Sequence, residues 1–99
     1  MAKLPLKYCA EIKEALRYVD DYKVRNVEVY VTWNSTVNCE VYDIYHYNTF
    51  IACIVPKTDA IQLSGDGYSA SDRDIINSFL MLYGMSKRVS KNSEGLYIR

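Results

Sequence analysis

The spacing of apolar residues changes period within the first third of the chain, and that change limits what it can fold into. Tyr8, Ile12, Ala15, Leu16 and Val19 recur at three and four positions, with Glu11, Lys13, Glu14 and Arg17 between them. Farther on, Val27, Val29 and Val31 alternate strictly with Glu28, Tyr30 and Thr32. The first spacing puts an apolar stripe on a helix, and the second gives a strand one apolar face. The two must share a core, which points to helices packed on a sheet.

The rest of the chain supports that reading. The spacing predicts a first helix over residues 5–21, with Pro5 in or before its first turn. Asn34 and Ser35 supply a turn after Trp33, and alternation resumes with Val37, Cys39 and Val41 against Asn38, Glu40 and Tyr42, giving an antiparallel hairpin. A second turn falls near residues 46–48. Residues 49–55 then read as a continuous apolar strand in the middle of the sheet, ended by Pro56. Thr58 and Asp59 turn the chain into a short strand over residues 60–63, and Ser64, Gly65, Asp66 and Gly67 close the sheet. A second helix follows Tyr68, capped by Ser69 or Ser71, with Ile75, Ile76, Phe79, Leu80 and Tyr83 as its buried stripe. Gly84 is placed for a left-handed C-terminal cap. A turn at residues 92–95 divides a small terminal hairpin. The expected fold is α+β, one domain over residues 1–99, with an antiparallel sheet, two helices on one face, and the order α-β-β-β-β-α-β-β.

Composition narrows the function classes. A chain of 99 residues that is 49% hydrophobic can bury roughly 65% of its unfolded surface without a staple. Its longest apolar run, residues 50–55, is far short of the ~20 residues of a membrane span. Lys7 directly after Leu4, Pro5 and Leu6 breaks any signal-peptide core. Cys9, Cys39 and Cys53 are odd in number and show no paired spacing, which suggests buried small hydrophobes in a reducing, cytoplasmic setting. Twelve basic and twelve acidic side chains cancel, which argues against a dedicated duplex-DNA binder.

No catalytic constellation is legible, and the chain reads as a non-enzyme with no cofactor. His46 is the single histidine, and no spacing selects a nucleophile or an orienting acid for it. Asp59, Asp66, Asp72 and Asp74 match no calcium loop and are explained by turns and caps. Gly65 and Gly67 ahead of a helix resemble a phosphate cradle, but neither Walker nor dinucleotide-binding spacing is present.

Tyrosine is the compositional outlier, with ten among 99 residues. Tyrosine offers a large rigid contact area with a polar end, which suits protein-binding surfaces and base-stacking platforms. Tyr30, Trp33, Tyr42, Tyr45 and Tyr47 are the candidate contact residues. Alternation puts Tyr30 opposite the valine face, and Tyr42 is expected to face outward with it.

Two segments resemble a group of small uncharacterised proteins of tailed bacteriophages. One is Tyr47-Asn48-Thr49 entering the apolar strand. The other is Tyr68-Ser69-Ala70-Ser71 followed by Ile76-Asn77 and Phe79-Leu80. The family's Tyr-Ser-x-Thr-Thr and His-Ile-Asn have Asp72 at the second threonine and Ile75 at the histidine here. The resemblance implies a phage accessory protein in the bacterial cytoplasm, binding and inhibiting a host protein such as a defence nuclease complex or CRISPR effector. Two other readings stay open. One is a single-stranded nucleic-acid module using Arg73, Lys87, Arg88 and Lys91 against phosphates; the other is a nucleotide-sequestering protein built on residues 64–71. A tyrosine-rich sheet face would also suit a homodimer.

Overall fold

A computed structural model describes residues 5–64 and 69–99. The order of elements is α1 (Leu6–Ala15), β1 (Asp21–Val24), β2 (Val27–Asn34), β3 (Cys39–His46), β4 (Thr49–Val55), β5 (Ala60–Leu63), α2 (Ala70–Leu82), β6 (Val89–Asn92) and β7 (Gly95–Ile98). Strands β1 to β5 form an antiparallel meander in chain order, and β6 and β7 form a separate two-stranded sheet. The expected α+β class is therefore observed, with one more strand than the sequence spacing suggested.

The extra strand comes from the end of the expected first helix. Helix α1 stops at Ala15, and Leu16 caps it through its N–H. Val19, which would have extended the stripe, is exposed, as is Tyr18 before it. Tyr18, Val19 and Tyr22 favour extended backbone over helix, and Asp20 and Asp21 are poor helix formers. Pairing with β2 then decides the outcome. Tyr22 stands opposite Val29 and Val24 opposite Val27, and the Val31 N–H donates to the Asp20 carbonyl at 2.7 Å.

Each hairpin is set by its turn. Tyr47 and Asn48 both take left-handed backbone (φ 52° and 63°), the two-residue turn whose twist matches that of the strands it joins. It pairs His46 with Thr49 and Tyr45 with Phe50. One residue on, the register shifts so that Ile44 faces Ala52, leaving Ile51 as an extra residue in β4. Ile51 and Ala52 are both buried in the core as a result.

The core lies between one face of the meander and the two helices. Val27, Val29, Ile44, Ala52 and Ile54 from the sheet meet Cys9 and Ile12 of α1 and Ile75, Ile76, Phe79 and Leu80 of α2. Ser69 caps α2 in a full capping box: its hydroxyl accepts from the Asp72 N–H, and the Asp72 carboxylate accepts from the Ser69 N–H. At the other end Gly84 is left-handed (φ 69°), with Gly84 N–H donating to Met81 and Met85 N–H to Leu80. This double closure is a Schellman motif, and it turns Met85 into the core. The terminal hairpin is held to α2 by Asn77, whose side-chain amide donates to the Val89 carbonyl at 3.0 Å and accepts from the Val89 N–H at 2.8 Å.

Candidate functional site: the helix-free face of the sheet

Register alone sorts the sheet's side chains. Tyr22, Val27, Val29, Val31, Tyr42, Ile44, Ala52 and Ile54 share the helix-covered face. Asp21, Lys23, Glu28, Tyr30, Thr32, Asp43, Tyr45, Phe50 and Cys53 share the other, together with Cys39 and Val41, which are buried at its β2–β3 end. Both helices contribute to the core on the first side, so among the described residues the second carries no helix.

Across that second face runs an aromatic row. Tyr30 meets Tyr45 edge to face at 5.4 Å between ring centres, and Tyr45 meets Phe50 in the same way at 5.6 Å. These geometries use the positive ring edge against the negative ring face, and they fix three rings on three neighbouring strands. Tyr30 keeps 38% of its surface exposed, while Tyr45 and Phe50 are half-buried. The Tyr30 hydroxyl donates to Glu28, which raises its pKa above the ordinary phenol value. Burial, and then a hydrogen bond to Asp43, pushes the Cys53 thiol up to about 11. The row borders a shallow depression lined by Glu28, Tyr30, Thr32, Asp43, Tyr45 and Asn48.

Of the five expected contact residues, the structure brings Tyr30 and Tyr45 together here and places the other three elsewhere. Tyr42 corrects the expectation that it faces outward. It pairs with Val31 on the helix-covered side, because the four-residue turn after Asn34 sets Asn34 against Cys39 and so Val31 against Tyr42. There it packs on Tyr83 at 4.7 Å, and burial raises the pKa of both phenols. Trp33 lies at the β2–β3 end of the sheet, 64% exposed, opposite Glu40. Tyr47 sits in the β3–β4 turn, exposed, with its ring against His46. Phe50 was missed because it reads as part of a continuous buried strand. The signal that finds it is the two-residue turn, which puts Phe50 opposite Tyr45.

The basic residues of the nucleic-acid reading lie on α2, on the segment that follows it and on β6, apart from the aromatic row. Arg73 pairs with Asp74 at 3.1 Å, Lys87 donates to the Asp59 carbonyl and Arg88 to the Met85 carbonyl. Lys91 is exposed on β6. Asp59 accepts from the Ser86 hydroxyl and, at 3.0 Å, from its N–H, which holds the Asp59 carboxyl below its ordinary range. His46 Nδ1 is 2.6 Å from Asp72, so one carboxylate serves both the helix cap and the end of β3. This contact ties the end of β3 to the start of α2. Gly65, Asp66, Gly67 and Tyr68 of the phosphate-cradle reading lie outside the described residues. Among the described residues no three of His, Cys, Asp and Glu are grouped to hold a metal ion, and no helix is long and apolar enough to cross a membrane.

The site and fold thus define a small α+β domain with a one-sided sheet. Compared with known protein families, curated proteins and solved structures, the chain matches none.

Proposed function

We propose that the chain is an accessory protein that acts by occupancy, docking the helix-free face of its sheet on a protein partner and performing no covalent chemistry. The observation that supports this is the Tyr30–Tyr45–Phe50 row, fixed by ring contacts and left without a covering helix. Rigid aromatic side chains lose little entropy on binding, and they dominate the energy of protein interfaces. The phage-like segments supply the setting: a bacterial host protein as the partner, in the host cytoplasm, with a defence nuclease complex such as a CRISPR effector as the first to test.

The test is capture from bacterial lysate by the immobilised chain and by Tyr30→Asp and Tyr45→Asp variants. Tyr97→Asp, at an exposed tyrosine of the terminal hairpin, is the control. The reading expects a stoichiometric partner retained by the parent and the control and lost by both face variants. Equal retention by all four proteins contradicts it.

A further inference from the structure

We infer that the helix-free face takes an arginine or lysine side chain of its protein partner, seated against Tyr30 and Tyr45 with the carboxylates of Glu28 and Asp43 as counter-charge. The inference deepens the docking reading and rests on it. Its basis is charge. By register the described strand positions of this face around the row hold Asp21, Glu28 and Asp43 as acids and Lys23 as a base. Glu28 and Asp43 are half-buried, and among the described residues neither has a basic side chain within 4 Å. Lys23 stands opposite Glu28 in the register but does not reach its carboxylate.

The side-chain donors paired with these carboxylates are neutral. Glu28 accepts from the Tyr30 hydroxyl, and Asp43 from the Cys53 thiol. Such donors satisfy a lone pair and leave the charge uncompensated, so a partly desolvated carboxylate still gains by meeting a cation. The depression between them holds about 430 Å³, and tyrosine rings form part of its lining. A guanidinium offers a flat face to stack on a ring and a fork of donors for carboxylates, which is what this lining presents. The same charges weigh against the other occupants. A nucleic-acid backbone would bring phosphates against Glu28 and Asp43, and a second copy across a two-fold axis would bring acids against acids.

The test is an amide NMR titration of the full chain with a hexapeptide of alternating glycine and arginine, and with its citrulline counterpart, which keeps the shape and loses the charge. The arginine peptide should shift the amides of β2 and β3 around Tyr30, Asp43 and Tyr45. A Glu28→Gln/Asp43→Asn double variant should bind it about tenfold more weakly or worse. Glu94→Gln, which removes an exposed acid in the β6–β7 turn, should bind as the parent does. The citrulline arm needs no variant and stands even if the double variant folds poorly. Each of the following overturns the inference: equal binding of the citrulline peptide, shifts confined to another part of the chain, a single-stranded oligonucleotide binding this face in preference, or self-association that covers Tyr30 and Tyr45 in sedimentation. If the double variant still captures the lysate partner that the tyrosine variants lose, the cation assignment falls and the docking face stands. Capture that survives both sets removes the face itself.

Discussion

Ile44 and Tyr45 are consecutive residues of β3, and they mark two faces of one sheet that are finished differently. Ile44 is fully buried, between Val29 and Ala52 on the side that α1 and α2 close. Tyr45, half-buried between Tyr30 and Phe50, has neighbours on its own sheet and no helix above it. The helix-covered face spends its apolar area on folding. The other keeps aromatic area, and carboxylates without cations, available to a second molecule. Strand β2 shows the division most plainly, alternating buried valines with more exposed residues as a strand with one covered face does.

Stability measurements should separate the faces first. Ile44→Ala is expected to cost about 2–5 kcal/mol in urea unfolding, because the packed helices cannot collapse onto the cavity. Tyr45→Thr, one residue away, is expected to cost about 1 kcal/mol or less, since it loses cross-strand ring contacts and keeps a residue that suits a strand. Equal costs would erase the distinction between the faces.

The next effect lies where the covered face meets α2. Asp72→Ala removes half of the capping box and the partner of His46, and should cost about 1–2 kcal/mol. Asp72→Asn, which keeps an acceptor, should recover part of that in the same unfolding series. A cost no greater than that of an exposed-site control would mean that the junction of β3 and α2 through His46 and Asp72 carries no stability.

A smaller effect is expected at the edge of the helix layer, in the pH dependence of Asp59. Its carboxyl is held below the ordinary value by the Ser86 hydroxyl and N–H, so the folded form binds its proton less readily than the unfolded chain. The stabilisation is therefore fully present above the ordinary carboxylate value and lost as pH falls through the depressed one. The difference in Tm between the parent and Asp59→Asn should shrink as pH drops from 7 to 2.5. A constant difference would contradict the assignment.

Thiol chemistry gives the finest comparison. Burial pushes Cys9 on the covered side up to about 12, while Cys53 on the open side lies at about 11. At pH 8 both should alkylate slowly in the native protein, with half-exposed Cys53 modified ahead of buried Cys9. Modification of Cys9 first would reverse the order of access.

Much of this division was legible in the residues. The valine alternation of β2 named the covered face, and it placed Tyr30 opposite before any contact was known. Ser69 and Ser71 as alternative caps, and Gly84, marked both ends of α2. What could not be read was register. Tyr42 and Tyr45 look alike in sequence, and their separation onto opposite faces depends on the length of the turn at residues 35–38. Phe50 joins the row because a two-residue turn and the extra Ile51 set how β4 meets β3. The lost end of α1 has the same origin, since pairing with β2 outweighed a helical spacing that local composition supported only weakly.

The division of labour is tested most directly by fluorine NMR of the chain labelled with 3-fluorotyrosine, recorded with and without the captured partner and assigned by single Tyr→Phe variants. Tyr30 and Tyr45 should shift or broaden on binding, while Tyr42 and Tyr83, packed together beneath the helices, should hold their positions. Movement of Tyr42 and Tyr83 with Tyr30 and Tyr45 unchanged would place the binding surface on the other side of the sheet and contradict the account.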